Sequence, residues 1–479
     1  MALNKVLKVN SDSELLSYII NVTPELSSEI DLPTQGQDLK PIGRLIVNNQ
    51  RLKNAFINTV NMIGLTIIDR NYWENPWKGF TERGVINFGD SVREIAVDIA
   101  DVFDYNEYVN SATHFLETVN PNVYNFIHEL NYQKFYKTTT SDEQIAMAFI
   151  REGDLMGLIE EIISSLYKGY EYDNYIINKY MLCRRLVDGT ITVKEVENFE
   201  NLTPRQTVAF IKNVSNLMTF MSPNYNPAGL RRSTSFDKQI AIINTDFDAT
   251  LTTEVLATSF FRNDAEMKTR MALIDGYGNH DTARLVEVLG TQYIPFTSEE
   301  ISTLNKIMCT IIDDEWYQNY TYSLDNQAEP NGAMGDGQTR ATSLFNQETL
   351  KNTHWLHTWK VMSTSPFKNA VSFIKDVTPA VTSVTISPSE SSVSAGIPVQ
   401  LTAVVETTGF ANKAVQWSID EAPGQQEGSP VTIDNNGLVT IPSNYTPTTT
   451  DPGEPNPIVI KATSIFDPEK SNTATITVL

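Results

Sequence analysis

Asn75-Pro76-Trp77-Lys78-Gly79-Phe80, followed by Gly84-Val85-Ile86 and by the run Gly89 to Asp98, is the stretch on which the reading of this 479-residue chain turns. Met62 to Arg70 before it and Arg93 to Ala100 within and after it read as strands. In the second, Ile95, Val97 and Ile99 share one face, and Glu94 and Asp98 the other, because side chains alternate along a strand. Asn71 to Asp90 lies between the strands and is rich in glycine and aromatics, so the whole reads as a long hairpin-like excursion. Trp73, Pro76, Trp77 and Phe80 crowd its middle. Large apolar side chains on a projecting loop invite aggregation unless a partner covers them. Either the loop folds back on its own domain, or Trp73, Pro76, Trp77, Lys78 and Phe80 meet a second chain; periodicity leaves both open.

Residues 11–60 before this excursion carry Pro24, Pro33, Pro41 and Gly36 as breakers and read as loosely structured. After it comes the clearest helix, Asp154 to about Val187. Leu155, Leu158, Ile159, Ile162, Ile163, Leu166, Tyr167 and Tyr170 fall at three-and-four spacing, with Asp154 as N-cap and Gly189 as stop. At about 1.5 Å per residue it would run about 50 Å, the length of a spine. A second helix starts at Thr203-Pro204 and runs to Met221. Strands and short helices alternate from there to about Ile374, interrupted by a Gly-rich loop at Asn331 to Thr342. Beyond Met362 there is no Arg, His, Met or Cys. Short alternating runs begin at Val381, Val399, Val415, Leu438, Ile458 and Thr473 and describe a β-sandwich with Trp417 as its core residue. Such a sandwich has its own core, so truncation near Thr378 is expected to leave assembly intact.

The net charge is −22 and the pI about 4.7, the reverse of a nucleic-acid-binding footprint. Cys183 and Cys309 are too few and too far apart for a disulfide framework or a zinc ribbon. Met1 to Asn10 lacks the apolar core of a signal peptide, and no apolar run is long enough to span a bilayer. The best catalytic lookalike is Asp246-Phe247-Asp248-Ala249-Thr250-Leu251 after the apolar run Ile240 to Ile243. It resembles the first motif of haloacid-dehalogenase-like phosphohydrolases. In that reading Asp246 is the nucleophile, Asp248 the acid and base, and Asp313 and Asp314 hold magnesium. The span is short for the βα units such a sheet needs, and no Ser or Thr with a placed Lys completes the set. His354 and His357 share a face only on a helix, whereas Thr353 to Met362 reads as a strand. His114, His128 and His280 are isolated. No catalytic, cofactor-binding or metal residue and no cofactor is expected.

The hairpin segment resembles the extended loop of major capsid proteins from small short-tailed phages of the phi-29 type. The resemblance continues through Pro121-Asn122-Val123, Phe126, His128-Glu129, Asn131 and Phe135-Tyr136, then Ile243 to Ala257 and Ile274-Asp275-Gly276. It ends with Ser365 to Phe373 leading into Val377 to Pro388. The C-terminal part looks like a bacterial immunoglobulin-like (group 2) domain, on Val415-Gln416-Trp417-Ser418 and Gly437-Leu438-Val439. The resemblance implies an α+β Hong Kong 97-type capsid fold with an all-β sandwich appended. Residues 1–60 would be an N-terminal arm, 61–110 the extended loop and 111–221 the peripheral domain with its spine at 154–187. Residues 222–350 would be mainly the axial domain, 351–377 the return to the peripheral domain and 380–479 the immunoglobulin-like sandwich. It implies a non-enzymatic shell subunit of the virion, assembled in the host cytoplasm with copies of itself in hexamers and pentamers. A scaffolding protein and a portal are implied as partners. The icosahedral or prolate head would enclose double-stranded DNA without sequence-specific binding and without a membrane. Trp73, Pro76, Trp77, Lys78 and Phe80 would be subunit contacts, and Trp77→Ala with Phe80→Ala would impair assembly while the monomer still folds. The alternatives are the phosphohydrolase above or a trimeric virion adhesin or fibre.

Overall fold

The computed structural model describes residues 16–17, 19–21, 23–33, 39–56, 73, 75–87, 90–100, 102, 123–141, 144, 154–254, 270–322, 334–335, 340–346, 351–423, 430–448 and 457–479. The expected strand Met62 to Arg70 lies outside them, as do Pro121, Asn122 and His114. In the supposedly loose arm, helix α1 (Lys40–Asn48) buries Ile42 and Ile46, and Leu16, Ile19, Ile20, Leu26, Leu52 and Phe56 are buried as well. The prolines break the arm into short helices without removing its apolar spacing; Pro41 sits in a first turn, where its missing N–H costs nothing.

The centre is a five-stranded sheet in the order β5 (Thr192–Val196), β13 (Ala370–Lys375), β8 (Ile307–Asp313), β6 (Gln239–Asn244), β7 (Met271–Ile274). Every residue of β6 and β8 is buried. The two faces take alternate residues, as a strand requires. Ile240 and Ile242 face the core built on α2 (Asp154–Val187), with Ile176, Tyr180, Leu186 and Trp77. Ala241 and Ile243 face the core built on α3 (Pro204–Leu217), with Val208, Ile211 and Val214. A strand covered on both sides must read as a continuous apolar run, which is how Ile240 to Ile243 and Ile307 to Ile312 read. The α3 start is a capping box: Gln206 Oε1 accepts from Thr203 N at 2.9 Å.

A second sheet joins β1 (Glu82–Ile86), β9 (Asn319–Tyr322), β12 (Lys351–Val361), β11 (Arg340–Asn346) and β10 (Met334–Gly335), with β4 (Tyr132–Ser141) also paired to β12. The Gly-rich segment expected as an open loop thus contributes β10 and the start of β11, paired Met334 with Ala341 and Gly335 with Arg340. Strands β2 (Val92–Val97) and β3 (Val123–His128) form a separate two-stranded ribbon.

Residues 380–479 form the sandwich, from β14 (Ala380–Ser387) to β22 (Ser471–Val478), with Leu401, Val439, Ile458, Ile460 and Ile476 wholly buried. Trp417 is half-buried, packed against this core rather than at its centre; its strand, β18 (Val415–Glu421), sets it opposite Ala462 of β21 (Ile458–Ser464).

The sandwich is not a detached module. Phe410, in the left-handed region at φ 60°, leaves the sandwich and joins the core around α2. Beside it, Lys413 Nζ donates to the carbonyl of Val187, the last residue of α2, at 3.1 Å. A cation there satisfies one of the orphaned carbonyls and opposes the negative end of the helix dipole. Gly189 is required twice. It adopts φ +70°, and a Cβ would stand 2.6 Å from Ala411 O. The sandwich is therefore fastened to the body at the 409–413 turn as well as through the linker. Truncating at Thr378 or making Phe410→Ala should destabilise the α2 core, by about 3 kcal/mol for Phe410→Ala. Denaturant unfolding of the full chain, followed at α2, checks this; an unchanged midpoint would show that the turn carries no load.

Candidate assembly surface

The crowded aromatics fold back onto their own chain at one point. Trp77 has 0% of its surface exposed. Its indole Nε1 donates to Leu273 O at 3.0 Å, and its ring stands edge-on to Tyr175 of α2 at 5.3 Å between centroids. Asn75 Oδ1 accepts from Trp77 N at 2.9 Å, and Thr81 Oγ1 donates to Trp77 O at 2.8 Å, closing a one-turn helix at Lys78–Thr81. Glu171 of α2 takes Asn75 N and Lys78 Nζ, each at 3.3 Å. Trp77 therefore has no surface left for a neighbour, and Phe80 is half-buried against the same core. The reason is geometric: the single turn at 78–81 rotates the indole inward, which strand periodicity cannot show. Trp73 and Pro76 remain exposed, and Trp73 packs edge-on to Tyr172 and Tyr175.

The exposed apolar face lies instead on the β2–β3 ribbon. Its inner face packs Ala96, Tyr124 and Phe126 against Leu230 and Phe367. Polar contacts latch the same face. His128 reaches Glu94 Oε2 at 3.2 Å and Ser363 Oγ at 2.9 Å, and Ser365 Oγ donates to Glu94 Oε1 at 2.7 Å. On the outer face Ile95 is 64% exposed, Val97 48%, Val123 58% and Ile127 40%. Val97 pairs with Val123, and Ile127 stands opposite Arg93, one alternation from Ile95. The apolar positions were legible in the sequence; that they point outward was not, because alternation does not say which face meets the body. A cleft of about 430 Å³ between ribbon and body carries Arg83, Arg93, Arg232 and Lys368 against Glu94, Asp313 and Glu315. Lys368 pairs with Glu315 there.

The phosphohydrolase reading is overturned by register. Strands β6 and β8 run antiparallel, with Gln239 opposite Asp313 and Ile243 opposite Cys309. Asp246 and Asp248 begin α4 (Thr245–Glu254) beyond one end of this pair, while Asp313 and Asp314 lie at the other. The two acid pairs are thus separated by the length of β6, about 20 Å at roughly 3.3 Å per residue. No group of three metal-ligating side chains occurs among the described residues. His354 and His357 lie on strand β12, not on a helix. His354 is buried against Thr140 Oγ1 at 3.2 Å, and His357 packs on Phe135.

Two predictions follow from these side chains. Trp77→Ala should cost about 3–5 kcal/mol of folding free energy, because it empties a closed core site and leaves Leu273 O without its donor; chemical denaturation of the variant measures this. His280, stacked on Phe296, and His354 are both pushed down to about 4 by burial. The unfolded chain protonates them near pH 6.5 while the folded one resists to about pH 4, so their contribution is complete above pH 6.5 and is lost as pH falls between these values. Melting temperature should fall across that window, and less steeply in His354→Gln.

The family described as Phi29-like phage major capsid protein matches residues 19–374, and the bacterial Ig-like domain (group 2) matches residues 380–443. The chain is 27% identical to the major capsid protein of Bacillus phage PZA over 429 residues, covering 88% of this chain and 83% of that protein. It is 26% identical to that of Bacillus phage B103 over 482 residues, covering 97% and 96%. A chain in the capsid structure of Staphylococcus phage Andhra superposes with a TM-score of 0.46 at 13% identity, covering 64% of this chain and 86% of that one. The family match spans most of the α+β body and the second match falls on the β-sandwich, so the chain belongs to the Phi29-like phage major capsid protein family, a structural protein of the phage virion with a C-terminal bacterial immunoglobulin-like domain.

Proposed function

We propose that this subunit builds an icosahedral or prolate head from hexamers and pentamers, and that the outer face of the β2–β3 ribbon is a principal contact between copies. The observation that carries this reading is the four-residue apolar face of Ile95, Val97, Val123 and Ile127 on a ribbon whose other face is latched to the body. A ribbon held on one side presents that face in a fixed orientation, so covering it costs little ordering entropy. Ring and shell contacts are heterologous and must close, and a rigid projecting face suits that requirement. Trp73 and Pro76, both exposed, supply a second, smaller contact.

The body of the chain takes the arm, extended-loop, peripheral and axial roles at the boundaries expected from sequence, with the sandwich on the shell exterior. The net charge of −22 suits confinement of double-stranded DNA without gripping its phosphates. A scaffolding protein and a portal complete the assembly, and the subunit itself catalyses no reaction in it.

The test is Ile95→Asp combined with Val97→Asp, both on the outward face. Circular dichroism and melting should match the parent, while shells seen by negative-stain microscopy fall to a few per cent or less. Normal shells from this variant would remove the ribbon from the interface. A parent that forms only monomers or trimers with its phage partners present would remove the shell reading.

A further inference from the structure

The cleft of about 430 Å³ between the β2–β3 ribbon and the body gathers cations that the acids of this chain leave unpaired. Arg83, Arg232 and Lys368 line it from the body, among Glu94, Asp313 and Glu315. Arg93 also borders it, but its pairing with Ile127 sets it on the outer face of the ribbon. The three acids are already committed. Glu94 takes His128 and Ser365 on its two oxygens, at 3.2 and 2.7 Å. Asp313 Oδ2 accepts from Thr234 Oγ1 at 2.8 Å, and its Oδ1 accepts from Glu315 N at 3.0 Å. Glu315 takes Lys368, which holds the Glu315 carboxyl below its ordinary value.

Arg83 and Arg232 have no such partner. Arg83 Nε donates to Tyr317 O at 2.8 Å, which pins the guanidinium, while its Nη2 is buried with no hydrogen-bond partner among the described residues. Arg232 is half-buried, and its side chain makes no hydrogen bond or ion pair. The chain carries 58 acids to 36 bases, so two arginines left unpaired in one cleft are not short of acids elsewhere. Water can satisfy their N–H groups but cannot cancel their charge. Each guanidinium offers a planar fork that fits two oxygens of one anion. One carboxylate answers one fork. Two forks, one from β1 and one from the 231–234 segment, suit an anion with two or more charges and at least three oxygens. The cleft volume lies within the range of small-molecule sites.

We propose that this cleft binds a phosphate-class oxyanion, single or condensed, held by the Arg83 and Arg232 guanidiniums with the Lys368 ammonium beside them. Asp314, also within reach of the Arg83 charge, is pushed up by burial and by Asp313, so it takes up a proton more readily and opposes the anion less. The bound anion would lie between the ribbon and the body segments around Asp313 and Lys368, which border the same cleft. It would thus fasten the ribbon in addition to the contacts that Glu94 makes.

The inference does not depend on what the outer face of the ribbon meets. Its test is the melting temperature of the folded full-length protein in a zwitterionic buffer, with orthophosphate or pyrophosphate titrated at an ionic strength held constant by sodium chloride. A ligand that binds only the folded state raises the melting temperature in a saturable way. That rise is expected, with an apparent affinity about tenfold weaker in Arg232→Gln, which loses one charged fork. Arg205→Gln, exposed on α3, should match the parent. A nucleoside triphosphate that binds as tightly as pyrophosphate would show that the site takes a phosphate tail; preference for pyrophosphate would show that it takes the free ion. Either supports the proposal. A melting temperature that follows ionic strength alone overturns it, as does unchanged affinity in Arg232→Gln. A short DNA duplex that displaces pyrophosphate and binds more tightly would assign the cleft to nucleic acid and overturn it too. Should Arg232→Gln fail to fold, Arg232→Lys keeps the charge and loses the fork, and the same affinity in that variant would also overturn the proposal.

Discussion

The middle of the spine helix sets the terms for the rest of the molecule, because it is buried and polar at once. Between Tyr170 and Tyr180, the residues Glu171, Asp173, Asn174, Asn178 and Lys179 are all enclosed. Buried charges and amides are tolerable only when paired, and each of these finds its partner on a different element. Glu171 takes the Asn75–Lys78 segment through Asn75 N and Lys78 Nζ. Asp173 takes both arms of Arg284 from α5 (Thr282–Leu289) at 2.8 and 2.9 Å. Asn174 receives Lys360 from β12, Asn178 receives Asn319 from β9 at 2.7 Å, and Lys179 reaches Asp275 after β7. One helix therefore specifies where five separate pieces of chain must stand.

That arrangement explains how a shell subunit can be both stiff and adaptable. The base of the 75–78 segment, both sheets and the 409–413 turn of the sandwich are all fastened to the spine. The β2–β3 ribbon has its inner face latched by Glu94, His128 and Ser365 and its outer face apolar and open. Trp77 is wholly enclosed by the body, whereas Trp73 four residues before it stays exposed.

The sandwich shares in this economy. A domain joined only through residues 376–379 would swing. Phe410 and Lys413 return from it to the end of α2, and the linker carbonyl of Asp376 accepts from Lys306 Nζ at 3.4 Å. The sandwich is thereby fastened to the C-terminal end of the spine by packing and a hydrogen bond as well as by the chain itself.

The sequence by itself determined the elements whose pattern is local. The 34-residue spine helix, the α3 start at Thr203-Pro204, the alternating strands of the sandwich and the continuous apolar runs of β6 and β8 were all legible, because helix and strand periods are written in neighbouring residues. The family resemblance was legible for the same reason, as a series of short matches in order. Only the tertiary structure decided which face of β2 points outward, that Trp77 turns inward, that Asp246 and Asp313 lie at opposite ends of an antiparallel pair, and that Lys360 meets Asn174. Each of these depends on residues far apart in the chain, as Trp77 is 196 positions from Leu273 and Lys360 is 186 from Asn174. A polar residue inside an apolar helix stripe signals that a partner exists; it carries no information about which distant residue the fold will deliver.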